Sequence, residues 1–369
     1  MSLILAFSFY GIRRAHYELF LVTHIALSIA ALWSMYYHVE IFTNGEWNIF
    51  IWPCLIIWVF DRMLRGLRIL AFDWQFWNTK AVVTYDTASN LVRMDVPVSR
   101  NRIAPEPGTY YYIYVLNDPL YVHQNHPFTL AYVTSPRDDE HIPLSPVSSR
   151  PLTDRMNSAS SSESDALLAP KRAAATGPSM VYLIRPYDGF TSRLKKHCLT
   201  RPKTLRVHIE GPYGHSVPLR EYSNILFVVG GTGIAVPLSH LAHILSSECT
   251  VQTVKIVWAV REHAFLASIM QEFRPLLGDE RCTLEVHVTQ DVLHKDDILD
   301  HPPRGVSILN GRPNVRSSVR EAAEDAGQQS LAVVACGPAR MADEARRSSV
   351  QMLADGYVGI DYFEESFKW

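Results

Sequence analysis

The chain has 369 residues, 47% of them hydrophobic, and its 35 Lys and Arg against 37 Asp and Glu leave a net charge of −2. That length suggests two or three domains, and the near-neutral balance gives no footing for a nucleic acid, which needs a concentrated basic surface. Five cysteines, Cys54, Cys198, Cys249, Cys282 and Cys336, show no CxxC spacing, so neither a disulfide framework nor a zinc site is indicated.

The chain opens on an apolar stretch, Met1 to Tyr10. As a helix it would rise only about 15 Å, half of a hydrocarbon core of about 30 Å, so it reads as the tail of a helix whose beginning is missing. A secretory signal places basic residues before its apolar run, and here Arg13 and Arg14 come after it. From Tyr17 to Tyr37 the residues are again mostly apolar, over a length that fits a membrane span. His24 and His38 stand fourteen positions apart at this segment. Both rings would project from nearly one face, roughly 21 Å apart along the axis. Ionisable groups in a span are costly and usually functional, and neutral imidazole is a common haem ligand. The plainer alternative is an interfacial His38 and a His24 bonded to a neighbouring helix. A loop with Glu40 and Glu46 follows, then a second apolar segment from about Trp47 to Phe60, then Arg62, Arg65 and Arg68. The positive-inside rule puts both arginine clusters in the cytoplasm and the loop around Asn44 outside.

Beyond residue 70 the pattern becomes strand-like. "AVVTYD" (81–86), "LVRMDV" (91–96), "YYYIYVL" (110–116), "MVYLIRP" (180–186) and "LRVHIEG" (205–211) are rich in β-branched and aromatic residues, as in a small antiparallel barrel. The break between Ser135 and Ser179 is crowded with Ser, Pro, Asp and Arg, including "NSASSSESD", and reads as a disordered insertion between barrel strands. From about Tyr222 strand and helix alternate. "NILFVVGGTGI" runs into glycines before the helical "VPLSHLAHIL", and "TVKIVWAV", "CTLEVHVT" and "SLAVVACGP" are further strands. The alternation implies a parallel α/β sheet. Gly230, Gly231 and Gly233 fall at a strand's carboxyl end, where backbone amides at a helix start can approach a pyrophosphate. Without the full GxGxxG the motif is weak by itself, since a tight turn needs similar residues.

Taken together, "HPFTL" (126–130), "GFTSRL" (189–194), "EGPYG" (210–214), "GGTGI" (230–234), "CGP" (336–338) and the terminal "EESFKW" occur in an order that resembles the fungal ferric reductases. That family belongs to the wider group that includes the NADPH oxidases, and its cytosolic half is similar to ferredoxin–NADP reductase. The resemblance covers nearly the whole chain apart from the insertion. It implies a multi-domain protein: transmembrane helices in residues 1–70, a partial haem domain; an FAD-binding antiparallel β-barrel in 78–218, interrupted at 135–179; and an NADPH-binding α/β domain in 219–369.

The resemblance also implies roles. His126, Pro127, Phe128 and Thr129 match the flavin-binding motif, and Gly189, Phe190 and Thr191 the site of the flavin pyrophosphate, whose plainer reading is an ordinary N-cap. Gly211, Pro212, Tyr213 and Gly214 match the hinge into the nucleotide domain, and Gly230, Gly231, Thr232 and Gly233 with Gly337 and Pro338 its cleft. Cys336 matches the cysteine near the nicotinamide, against the plainer view of a buried structural cysteine. Arg261 and Arg312 match basic positions that contact the nucleotide, and a guanidinium suits a ribose 2′-phosphate. Trp369 resembles the aromatic that covers the flavin and moves aside for nicotinamide. His24 and His38 match one of the family's haem-binding histidine pairs.

The implied activity is ferric-chelate reduction: electrons pass from cytosolic NADPH through FAD and haem b to ferric or cupric chelates outside. This places the chain in a lipid bilayer as a multi-pass protein, in the plasma membrane, with the flavin and nucleotide domains in the cytosol. The sequence holds no second transmembrane histidine pair, because His16 is near the cytoplasmic end and every other histidine lies beyond residue 120. The partner helix is therefore expected to be lost from this sequence or supplied by a second chain. The alternatives are a superoxide-generating NADPH oxidase and a truncated, haem-free subunit that binds flavin and nucleotide. The histidine spacing and the terminal Trp favour the metalloreductases over the oxidases.

Overall fold

The computed structural model describes residues 17–41, 49–72, 78–98, 105–117, 125–134, 178–187, 189–245, 250–290 and 304–365. Met1 to Tyr10, Arg13, Arg14, His16, the loop around Asn44, most of the 135–179 insertion and Trp369 lie outside them. Two helices come first, α1 (Tyr17–Glu40) and α2 (Trp52–Phe72). Among the described residues, Phe20–Glu40 of α1 is the one stretch long and apolar enough to cross a membrane. The second apolar segment, expected from about Trp47 to Phe60, falls in α2 from Trp52 onward, and the same helix runs on through Arg62, Arg65 and Arg68. Pro53 sits in the first turn, where proline is tolerated, and the lone Gly66 costs only about 1 kcal/mol. α2 is therefore apolar in its first half and basic in its second.

Seven antiparallel strands follow: β1 (Lys80–Asp86), β2 (Leu91–Pro97), β3 (Tyr110–Val115), β4 (Asn125–Thr129), β5 (Tyr132–Thr134), β6 (Ser179–Ile184) and β7 (Lys203–Tyr213). Their order in the sheet is β4-β3-β7-β1-β2-β6-β5. Alternation decides which side each residue takes. β3 buries Tyr111, Ile113 and Val115 and turns Tyr110, Tyr112 and Tyr114 outward. The two ends of the sheet, β4 and β5, are consecutive in the chain. The Leu130 amide donates to the Thr109 carbonyl at 3.0 Å, and the next amide, Ala131, donates to the Val181 carbonyl at 2.9 Å. The chain thus leaves β3 for β6 between two adjacent residues, and the sheet curls into a barrel. β6 begins on Ser179, the residue expected to close the insertion. Its amide donates to the Thr134 hydroxyl at 3.0 Å, so the insertion joins the paired ends of β5 and β6.

A helix, α3 (Gly189–Cys198), connects β6 to β7. The chain then enters a sheet of six parallel strands, β8 (Asn224–Gly230), β9 (Thr253–Val260), β10 (Cys282–Val288), β11 (Val306–Asn310), β12 (Leu331–Cys336) and β13 (Ile360–Glu364), ordered β11-β10-β9-β8-β12-β13. β12 is buried along its whole length, as a strand covered on both faces must be. α4 (Ala235–Leu245) and α5 (His263–Leu277) cover one face, where Phe265 and Leu266 of α5 share a core with Ile256 and Trp258 of β9. α6 (Val315–Ala326) and α7 (Ala339–Ala354) cover the other, where Val319 and Ala345 share a core with Val228 and Val257. The order reverses at β8, which opens a crevice between the carboxyl ends of β8 and β12. The described chain is thus an antiparallel barrel followed by a parallel α/β domain.

Candidate functional site

The four expected flavin residues form β4. Phe128 lies opposite Tyr111, Pro127 opposite Tyr112, and His126 opposite Ile113 on β3. Proline can sit here because β4 is an end strand and needs no further amide pairing. The His126 ring stacks on Phe190 with centroids 4.4 Å apart, and Phe128 lies 6.0 Å from the same ring. Two motifs more than sixty residues apart are thereby joined on one side of the barrel. Gly189 starts α3 with φ +52°, a conformation that costs glycine little. The Thr191 hydroxyl accepts from the Tyr187 amide at 3.0 Å, and Lys195 rides 4.7 Å over the Tyr85 ring. The first contact ties the start of α3 to the preceding loop and the second holds its last turn on the barrel, with first-turn amides available to an anion.

The hinge motif closes β7. Gly211 and Pro212 are joined by a cis peptide bond, and a β-carbon on Gly211 would come within 2.5 Å of the Tyr111 ring, so only glycine fits. Tyr213 stacks on Tyr110 at 5.8 Å and meets Tyr112 edge-on at 5.3 Å. Gly214 turns the chain at φ +88° over the Tyr110 ring.

In the crevice, the glycines of β8 and the turn after β12 are packed into each other. A β-carbon on Gly230 would lie 2.7 Å from Pro338 Cδ, one on Gly337 would lie 3.0 Å from the Gly230 amide nitrogen, and one on Gly233 would overlap the Cys336 carbonyl. Gly231, at φ +55°, has open space where a side chain would go. Its carbonyl is held from below by the Trp258 indole N–H at 2.9 Å. The half-buried Thr232 completes this cradle, which suits the close approach of a pyrophosphate. Cys336 is fully buried. Burial, and then the charge of Glu365, push its thiol well above the usual range. Glu365 is tied back by its amide, which donates to the Ala335 carbonyl at 2.9 Å, and burial raises its carboxyl to about 7. Arg261 and Arg312 are both exposed just past the carboxyl ends of β9 and β11. They share the ligand edge of the sheet, but β10 separates their strands.

Two contacts seat the domains on each other. The Gly108 amide of the barrel donates to the Ser239 hydroxyl of α4 at 3.1 Å. A β-carbon on Gly108 would lie 2.9 Å from His240 Nε2, and burial lowers His240 to about 4, so this contact is made by a neutral ring. Arg185, after β6, pairs with Glu262, after β9. Sequence reading missed Arg185, Glu262 and Glu365. The first two flank motifs it did find, in "IRPYDGF" and "WAVRE", and such flanking charges were the available signal.

His24 and His38 both lie on α1. His24 stacks on Phe20 at 5.3 Å, and its buried Nδ1 has no hydrogen-bond partner. His38 is exposed near the end of the helix.

Residues 222–350 match the ferric reductase NAD binding domain, and residues 75–217 match an FAD-binding domain. The chain is 28% identical to ferric reductase transmembrane component 6 of Saccharomyces cerevisiae, over 100% of this chain and 48% of that protein. It is 27% identical to ferric/cupric reductase transmembrane component 2 of the same yeast, over 98% of this chain and 48% of that one. Against ferric/cupric reductase transmembrane component 1 of Candida albicans it is 25% identical, over 97% and 44%. The chain spans about half the length of the curated relatives it matches. Among solved structures, a ferredoxin NADP+ reductase from Neisseria gonorrhoeae with bound FAD and NADP aligns over 78% of this chain and 98% of that chain, with TM-score 0.49 and 14% identity.

Proposed function

We propose, from the premise that this chain belongs to the fungal ferric reductases, that it moves electrons from cytosolic NADPH across a membrane to ferric or cupric chelates. The observation that carries the reading is the pairing of two cradles. One, His126 to Thr129 with Phe190, lies on the barrel. The other, Gly230 to Gly233 with Cys336, lies at the reversal point of the parallel sheet. The Gly108–Ser239 contact holds the two domains together.

β4 residues His126, Pro127, Phe128 and Thr129 would lie along the flavin ring and its ribityl chain, and the amides of Gly189, Phe190 and Thr191 would hold the flavin pyrophosphate. The glycine turn, with Gly337 and Pro338, would hold the pyrophosphate of NADPH. Arg261 and Arg312 would bind the ribose 2′-phosphate, which favours NADPH over NADH. Cys336, kept protonated by burial, is an uncharged neighbour for the nicotinamide. Trp369 is assigned the cover over the flavin. When bound, FAD supplies the conversion of a two-electron hydride into single electrons. The unpartnered Nδ1 of His24 fits a nitrogen that would hold haem iron. His24 and His38 would hold haem b together with histidines from a further helix or a second chain, and haem would supply the one-electron relay in the membrane. The reading places the protein in the plasma membrane as a multi-pass chain with its flavin and nucleotide domains in the cytosol. Outer-sphere reduction of a chelate needs no proton-transferring side chain.

The test is the acceptor. Membranes containing the chain should oxidise NADPH with ferric citrate under argon at least about tenfold faster than with oxygen alone. Superoxide as the main product would assign an oxidase instead, and no turnover with either acceptor would contradict the reading.

A further inference from the structure

Among the described residues Glu210 is the most deeply buried carboxylate of the barrel, with its side chain 0% exposed, and nothing in the flavin or nucleotide cradles uses it. A buried charge persists only where partners surround it. Its partners come from three elements. The Tyr114 hydroxyl on β3 donates to it at 2.8 Å, the Tyr213 hydroxyl beside it on β7 donates to its other oxygen, and Arg65 of α2 approaches to 3.9 Å. One turn further along α2, the Arg68 guanidinium lies 4.6 Å over the Tyr213 ring, a cation–π contact. Burial, and then the Glu210 hydrogen bond, raise the Tyr213 phenol above its usual range, so it remains a donor. Asp61, one turn back, also reaches Arg65 at 3.5 Å and steadies it toward the barrel. Arg62 differs, because among the described residues it pairs within its own helix, with Asp61.

The basic end of α2 therefore touches the barrel beside Gly211–Pro212, the join between the flavin and nucleotide domains. α2 ends at Phe72 and β1 begins at Lys80, so seven residues join them along the chain. The Glu210–Arg65 and Tyr213–Arg68 contacts supply a second point of attachment. We propose that Arg65 and Arg68 are positioning residues: they dock the flavin barrel on the basic end of α2 and so fix the distance from flavin to membrane. Electron transfer weakens steeply with distance, so this docking governs the outward electron step and not the hydride step. The inference rests on the proposed function for the direction of electron flow, while the docking itself stands on the contacts alone.

The test compares the FAD-loaded, detergent-purified full chain with its R65A/R68A double variant and with R62A. In the double variant, amide exchange at residues 62–72 and 208–214 should quicken about tenfold, as expected when a local contact is lost. Anaerobic bleaching of the flavin by NADPH should stay within about twofold of the parent, while ferric citrate reduction falls about tenfold. R62A should match the parent in all three. Unchanged exchange in the double variant, or the same rise in R62A, overturns the docking. Bleaching that falls as far as ferric citrate reduction, or ferric citrate reduction that does not fall, overturns the positioning role. If the parent itself fails to bleach with NADPH, the proposed function fails, and the exchange measurement still decides the docking.

Discussion

The carbonyl oxygen of Cys336 stands where Gly233 would otherwise carry a β-carbon, so the end of β12 and the glycine turn after β8 fix each other's place. The contact explains why a glycine is required at 233, since this obstruction is backbone and cannot turn aside. Gly233→Ala should push the two strand ends apart at a cost of about 1–3 kcal/mol. The variant should bind FAD normally, melt several degrees lower, and show a KM for NADPH raised about tenfold or more. Thermal melting and steady-state kinetics check it.

Cys336 should be inert to alkylation, because burial keeps its thiol protonated at neutral pH. At pH 8, iodoacetamide should leave Cys336 untouched in the folded protein and label it once urea unfolds the chain. Cys336→Ala should keep its FAD and slow NADPH-dependent bleaching by about tenfold, as misplacement of a reacting group does. Labelling mapped by mass spectrometry and stopped-flow absorbance read the two effects.

Glu365 gives a pH dependence with a definite sign. Burial raises its folded-state value to about 7 from 4.5. Below 4.5 the carboxyl is neutral in both states and carries no penalty. As pH rises from 4.5 through about 7, the unfolded chain ionises first, and stability is lost across that window. Glu365→Gln should therefore be more stable than the parent above pH 7, and the difference should vanish below pH 4.5. Urea melts at three pH values measure this.

Phe190 joins the two flavin motifs through its 4.4 Å stack on His126 and is only 6% exposed. Phe190→Ala should destabilise the barrel by about 3–5 kcal/mol and release FAD. Flavin fluorescence in the flow-through of a desalting column should rise against the parent.

Arg261 tests the choice of nucleotide. A guanidinium on a 2′-phosphate discriminates by charge-assisted hydrogen bonds. Arg261→Ala should raise the KM for NADPH about tenfold and leave that for NADH nearly unchanged. Unequal effects on the two dinucleotides are the required outcome.

Much of this architecture was legible in the sequence because burial writes itself into local pattern. β12 reads as an uninterrupted apolar run because helices cover both its faces, and β3 alternates because only one of its faces is inside. The glycine turns were legible because close backbone approach admits no other residue. The short and exposed pieces were not. β11 and β13 carry exposed polar residues at the sheet's edges, and β5 has three residues. The sequence pattern marks where the apolar run of α2 ends but not where its helix ends, because a helix leaving an apolar region can carry its charge onward. Least legible were the long-range pairs. Arg185 with Glu262 and Arg65 with Glu210 join residues far apart in the chain, and nothing local in either member names its partner.

The most direct test of the electron path is the absorption spectrum of the detergent-purified chain, recorded anaerobically before and after NADPH. The account predicts that the flavin band bleaches, and that a b-type Soret band is then reduced where the helix or second chain carrying the partner histidines is present. A flavin band that NADPH leaves unbleached would contradict it.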